Sequence, residues 1–113
     1  MHKLIILFNQ PVEWHSFEKG WHKFLALAEK MPGLRKEAVS EIERLVFGSE
    51  GQHYHKIQEL YFESREALDA ALKSRQGQEA GQWLHQFTNG RIVLFTAEHK
   101  EAKPEEFSRK TRS

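Results

Sequence analysis

The spacing of apolar residues changes several times along the chain, and each change marks an element. Lys3 to Phe8 is a branched, apolar run ended by Asn9-Gln10-Pro11, which predicts a buried strand and a turn. From Trp14 the period lengthens: Trp14, Phe17, Trp21, Phe24, Ala28 and Met31 recur at steps of three and four, and Pro32-Gly33 stops this amphipathic helix. A second, half-exposed strand is predicted over about Leu34 to Phe47, where Val39 and Leu45 lie among charges, followed by the loop Gly48-Ser49-Glu50-Gly51. Tyr54 to Glu63 reads as a third strand. Ser64 is then a good N-cap for a second helix with Ala67, Leu68, Ala71 and Leu72 on one face. A shorter helix from about Gln78 to Phe87 and the turn Asn89-Gly90 lead into a last strand, Arg91 to Glu98.

The order β-α-β-β-α-β predicts an α+β, ferredoxin-like domain: one antiparallel four-stranded sheet with the helices on one face. At 113 residues the chain is one domain. We expect residues 1–98 to form it and residues 99–113 to be a charged tail. That tail holds Lys100, Lys103, Arg109, Lys110 and Arg112 against Glu101, Glu105 and Glu106, with Phe107 its only large apolar residue and the one expected to dock it. At +2, it leaves the body at −1 within a total of +1. So balanced a body lacks the basic field that nucleic-acid binding needs. The absence of cysteine excludes disulfides, thiolate metal sites and cysteine nucleophiles, and fits a cytoplasmic protein. The longest apolar run, Leu4 to Phe8, is too short to span a membrane, so no membrane partner is expected.

The first and last strands carry the informative anomaly. A sheet wetted on one face alternates apolar with polar, yet Leu4 to Phe8 and Ile92 to Phe95 are apolar at every position, so both faces need cover. Helices cover one. A second copy of the sheet, packed face to face in a twofold homodimer, is the economical cover for the other.

On the third strand, Tyr54, Lys56, Gln58, Leu60 and Phe62 share one face and His55, Ile57, Glu59 and Tyr61 the other. Phe62 precedes a helix, which assigns its face to the helix-covered side. Lys56 then either faces a cavity beneath the helices, binding a ligand carboxylate or exchanging protons, or reaches back to water from the strand's start. Phe24 on the first helix should face Lys56 across that cavity, and Trp21, Trp83 and Phe87 either wall it or build the core. His53-x-His55 with Glu59 has a metal-like composition, but His55 and Glu59 are about 13 Å apart along a strand, so no metal is expected and Glu59 needs a buried donor. His15, Glu18 and His22 share a helical face that reads as solvated. No phosphate loop, nucleophile elbow or paired-histidine helix motif is present.

The segments KLIILFNQP, KMPGL, YHKIQELYFESREALDAAL, SRQGQEA and GRIVLFTAE, spread over residues 3 to 98, together resemble the EthD family of the dimeric α+β barrel superfamily. The resemblance implies a homodimer with a cavity between sheet and helices for small, often aromatic or polyketide-like molecules. The chain departs from the family at a frequent helix histidine, whose place falls on Phe24. His22 lies about 200° away around the helix and cannot replace it. Compared with plant polyketide cyclases of the superfamily, their histidine and tyrosine positions fall near Gly77 and on Ala71, and their pocket histidine falls on Lys56.

These readings converge on a homodimer, joined by sheet-to-sheet packing, that binds a small apolar or aromatic organic molecule, as in a catabolic oxygenase pathway. The expected pocket is Trp21, Phe24, Tyr54, Lys56, Gln58 and Trp83. The alternative is a cofactor-independent monooxygenase, decarboxylase or isomerase with Lys56 as its catalytic group. Neither reading calls for a cofactor.

Overall fold

The computed structural model describes residues 1–49 and 53–106. Its elements run β1 (His2–Asn9), α1 (Trp14–Ala28), β2 (Lys36–Glu41), β3 (Tyr54–Phe62), α2 (Arg65–Lys73), α3 (Arg75–Thr88) and β4 (Ile92–Glu98). The strands form one antiparallel sheet in the order β2-β3-β1-β4, which makes the chain an α+β protein of the ferredoxin-like class.

Alternation along β1 and β3 separates the two faces. Leu4, Ile6 and Phe8 of β1 and Lys56, Gln58, Leu60 and Phe62 of β3 are buried beneath the helices, where Phe17, Phe24, Ala28, Leu68, Ala80 and Leu84 complete the core. The helices approach closely at Gly20, where Phe87 of α3 leaves no room for a Cβ. The face away from the helices carries Ile5, Leu7, Ile57 and Val93, all half-buried, and the more exposed Phe95. At one end of that face Lys3 is ion-paired with Glu59, the donor that this carboxylate requires. Its ammonium also lies 5.4 Å from the ring of Tyr61, and that of Lys36 lies 4.6 Å from the same ring.

Three boundaries differ from the sequence pattern. β2 stops at Glu41 instead of running to Phe47: Ile42 makes one more bond to His55, and beyond it no strand among the described residues lies opposite. Val46 and Phe47 are left 83% and 94% exposed. α1 ends at Ala28, and Met31 packs into the core from a turn held by its N–H on the Ala28 carbonyl. α3 begins at Arg75 rather than Gln78, because Ser74 serves both neighbouring helices. Its hydroxyl donates to the Ala71 carbonyl at 2.6 Å and accepts the Gly77 N–H at 3.0 Å. A Cβ at Gly77 would run into that carbonyl, so glycine alone permits so short a junction.

The start of the tail is held. His99 donates its N–H to the Met1 carbonyl at 2.8 Å, and its ring meets Tyr61 edge-on at 4.9 Å. Phe107, expected to dock the tail, lies outside the described residues.

Candidate functional site

A β-bulge shapes the site. Phe8 pairs with Lys56, but Asn9 pairs with Tyr54, so His55 is the extra residue. The bulge brings His55 and Lys56 together toward α1 and breaks the alternation expected at the strand's start. Tyr54 is thereby removed from the Lys56 face and lines a groove with Gln10, Ile42 and His53. His55, expected on the opposite face, instead meets Trp14 at 4.5 Å and Phe17 at 5.3 Å, both edge-on.

Lys56 does not reach back to water. It is 1% exposed, with its ammonium 3.2 Å from the centre of the Trp21 ring. Two carboxylates complete its surroundings: Glu41, directly across on β2, at 3.3 Å, and Glu18 of α1 at 3.8 Å. Glu18 thus faces the sheet from what the sequence pattern marks as a solvated helix face. Beside this ion cluster the Trp21 indole N–H donates to Gln58 Oε1 at 3.2 Å, holding the ring over the ammonium. Gln58 is fully buried and its Nε2 makes no hydrogen bond among the described residues; His55 Nε2 is likewise buried without one, with Glu18 Oε1 4.0 Å away. Burial, reinforced by the Lys56 charge and opposed by Glu41 and Glu18, pushes the His55 pKa down and keeps the imidazole neutral. Farther along β2, burial and then the neighbouring Glu29 push the Glu37 carboxyl up.

A separate space opens on the other side of α1. It is an apolar cavity of about 370 Å³ between α3 and the β1–β4 half of the sheet. Leu4, Phe24 and Leu84 line its inner part, and Leu72, Gly81 and Leu94 its outer part. Of the six residues expected to form a pocket, only Phe24 lines this cavity. Trp21, Lys56 and Gln58 are together but packed into the ion cluster. Trp83 seals the α1–α3 seam: its indole N–H donates to the Gly20 carbonyl at 2.8 Å, and Lys23 stands 3.9 Å above its ring. Phe24 and Lys56 therefore share the helix-covered side without bracketing one space, because Trp21 fills the gap beside the lysine.

Sequence reasoning missed Glu18 and Glu41 as partners of Lys56. The available signal was the demand of an inward lysine for a counter-ion, but the register that selects Glu41 is set across a long connection. It also missed Gly81 and Leu94, which are conspicuous only once α3 and β4 face each other. Among the described residues no three His, Asp or Glu side chains converge as metal ligands. No helix among them is long and apolar enough to cross a membrane.

No protein-family model matches the chain. An uncharacterised 11.0 kDa protein from the thcB–thcC intergenic region of Rhodococcus erythropolis is 28% identical over 100 residues, covering 87% of this chain and 95% of that one. An EthD family protein of Bacillus halodurans superposes with a TM-score of 0.77 at 27% identity, over 88% of this chain and 99% of its own. Two solved structures of lower identity share the fold. SnoaB, a cofactor-independent oxygenase of Streptomyces nogalater, gives a TM-score of 0.63 at 11% identity, over 91% and 96% of the two chains. A dimeric ferredoxin-like protein of unknown function from Jannaschia gives 0.60 at 18%, over 88% and 100%. In the arrangement of its strands and helices this chain is similar to the EthD family protein of Bacillus halodurans.

Proposed function

We propose that the protein is a cytoplasmic homodimer that binds a small, largely apolar organic molecule between α3 and the sheet, with residues 1–98 as the binding domain and 99–113 as an appendage. The apolar cavity of about 370 Å³ carries this reading, since it falls in the size range of small-molecule sites and is walled mainly by aliphatic and aromatic side chains. Support for the dimer comes from the apolar face of Ile5, Leu7, Ile57, Val93 and Phe95, which the described residues leave without a covering layer, and from the dimeric state of the Jannaschia neighbour. A thermal-shift screen of apolar and aromatic compounds tests the binding. A ligand at 100 times its dissociation constant stabilises by about 2.7 kcal/mol, and a flat response across compounds that fit the cavity would sink the reading. The dimer has its own test. Val93→Lys with Phe95→Lys places unpaired charge in the sheet-to-sheet contact and should give monomer or aggregate on sedimentation; an unchanged dimer would put the interface elsewhere.

A second reading, catalysis without a cofactor by a monooxygenase, decarboxylase or isomerase, is favoured by the buried cluster of Lys56, Glu18, Glu41 and His55 and by the fold shared with SnoaB. Ammonium, carboxylates and a neutral imidazole together can give and take protons. Trp21 covers the ammonium, so this chemistry requires the indole to swing away from Gln58. Assays of each screened ligand in air, without added cofactor, should show turnover that Lys56→Met abolishes. Ligands that bind and are recovered unchanged leave a binding protein.

A further inference from the structure

Helix α3 contains two glycines one turn apart, and only one has a structural reason to be there. At Gly77 a side chain would strike the Ala71 carbonyl. At Gly81 a Cβ would meet nothing within 4 Å, and the backbone is not in the left-handed region that favours glycine. A glycine inside a helix costs stability, and here neither packing nor backbone geometry accounts for it. Gly81 is exposed and lines the outer part of the apolar cavity, so the open space at its Cα adjoins that cavity.

The charge of the lining is equally informative. Among the described residues, none that lines the cavity is ionisable, and Thr96 supplies the only polar side chain. The nearest buried cation, Lys56, is outside it, screened by Trp21 and already matched by Glu18 and Glu41. A carboxylate entering the cavity would lose its hydration with no cation to meet it.

We infer that Gly81 is the specificity-determining residue of this cavity, and that it admits a neutral, ring-sized or branched apolar molecule lying against the α3 backbone. At interior packing density the space holds on the order of ten non-hydrogen atoms, and Thr96 can match at most one small polar group. The inference rests on the cavity being a ligand site, as proposed above.

Naphthalene and 2-naphthoate, alike in shape and unlike in charge, are suitable probes, titrated against the wild-type chain, Gly81→Ala and Gly81→Leu. Naphthalene should bind the wild type at least tenfold more tightly than 2-naphthoate does. Gly81→Leu should weaken naphthalene at least tenfold, and Gly81→Ala by less, while circular dichroism and sedimentation stay unchanged. Equal binding of the two probes overturns the neutral ligand class, and undiminished binding by Gly81→Leu overturns the role of Gly81. Failure of the wild type to bind either probe overturns the inference, and the ligand-site reading falls with it only if the wider screen is also flat. A Gly81→Leu chain that loses its dimer would give the space to a second copy and remove the ligand from it.

Discussion

The two flanks of α1 treat the space beneath them in opposite ways. Toward β2 and β3, Trp21 closes over Lys56, with Glu18 and Glu41 beside the ammonium, and little is left empty. Toward β1 and β4, Phe24 looks onto leucines and an unfilled cavity. Trp21 and Phe24 are three residues apart, so one helical face serves both flanks, and what differs is the strand residue beneath each. The contrast separates two properties that a binding site is often assumed to combine. The buried charge is satisfied by the protein itself, and the unfilled space is apolar.

Lys56 offers the largest test of this division. Its stem is buried, whereas Glu18 and Glu41 are partly exposed and can turn to water once the ammonium is gone. Lys56→Ala should therefore cost mainly packing, about 2–3 kcal/mol. For a domain near this size that lowers Tm by on the order of 10–20 °C. Lys56→Met keeps the volume and should stay within about 1 kcal/mol of the parent in a urea titration. If Met proves as costly as Ala, the ion pairs hold this flank together and the volume of the side chain does not.

The same contrast explains how far the chain could be read without its structure. Helix order, strand order and the assignment of Gln58, Leu60 and Phe62 to the covered face follow from periods of two and of three to four, because those patterns are local. The bulge that redirects His55 and removes Tyr54 is not local: it arises where Asn9 pairs with Tyr54, and no residue type announces it. Partners for Lys56 come from α1 and β2, each fixed by tertiary packing. A cavity is harder still to foresee, because it is where side chains are missing. Its only trace in the chain is a helix glycine with no other reason to be there.

That glycine gives the next test, of intermediate size. Gly81→Ala fills open space and improves helix propensity, so it should raise stability by about 1 kcal/mol, read as a higher urea midpoint at unchanged slope. Gly77→Ala, with the same change of propensity, should lower the midpoint because its Cβ meets the Ala71 carbonyl. If both variants move in the same direction, the difference between the two glycines disappears, and with it the claim that one of them guards empty space.

The smallest effect belongs to His55, on the filled flank. Its folded pKa is depressed from 6.5, first by burial and then by Lys56, and opposed by Glu41 from β2 and Glu18 from α1; Trp14 and Phe17 supply the apolar walls. Below the ordinary histidine value the unfolded chain takes up a proton that the folded chain resists. Stability must then fall as pH drops through about 6.5. Glu37, raised by burial and by Glu29, acts in the opposite direction, since it binds its proton more readily when folded. The two are separable by difference. His55→Phe suits the aromatic walls and cannot titrate, while Glu37 is common to both proteins. Urea midpoints measured at pH 7.5 and pH 5.5 should show the parent losing more on acidification than the variant. Equal losses would mean that His55 accepts its proton in the folded state through Glu18 and Glu41, making those carboxylates, and not burial, the dominant influence on this side of the helix.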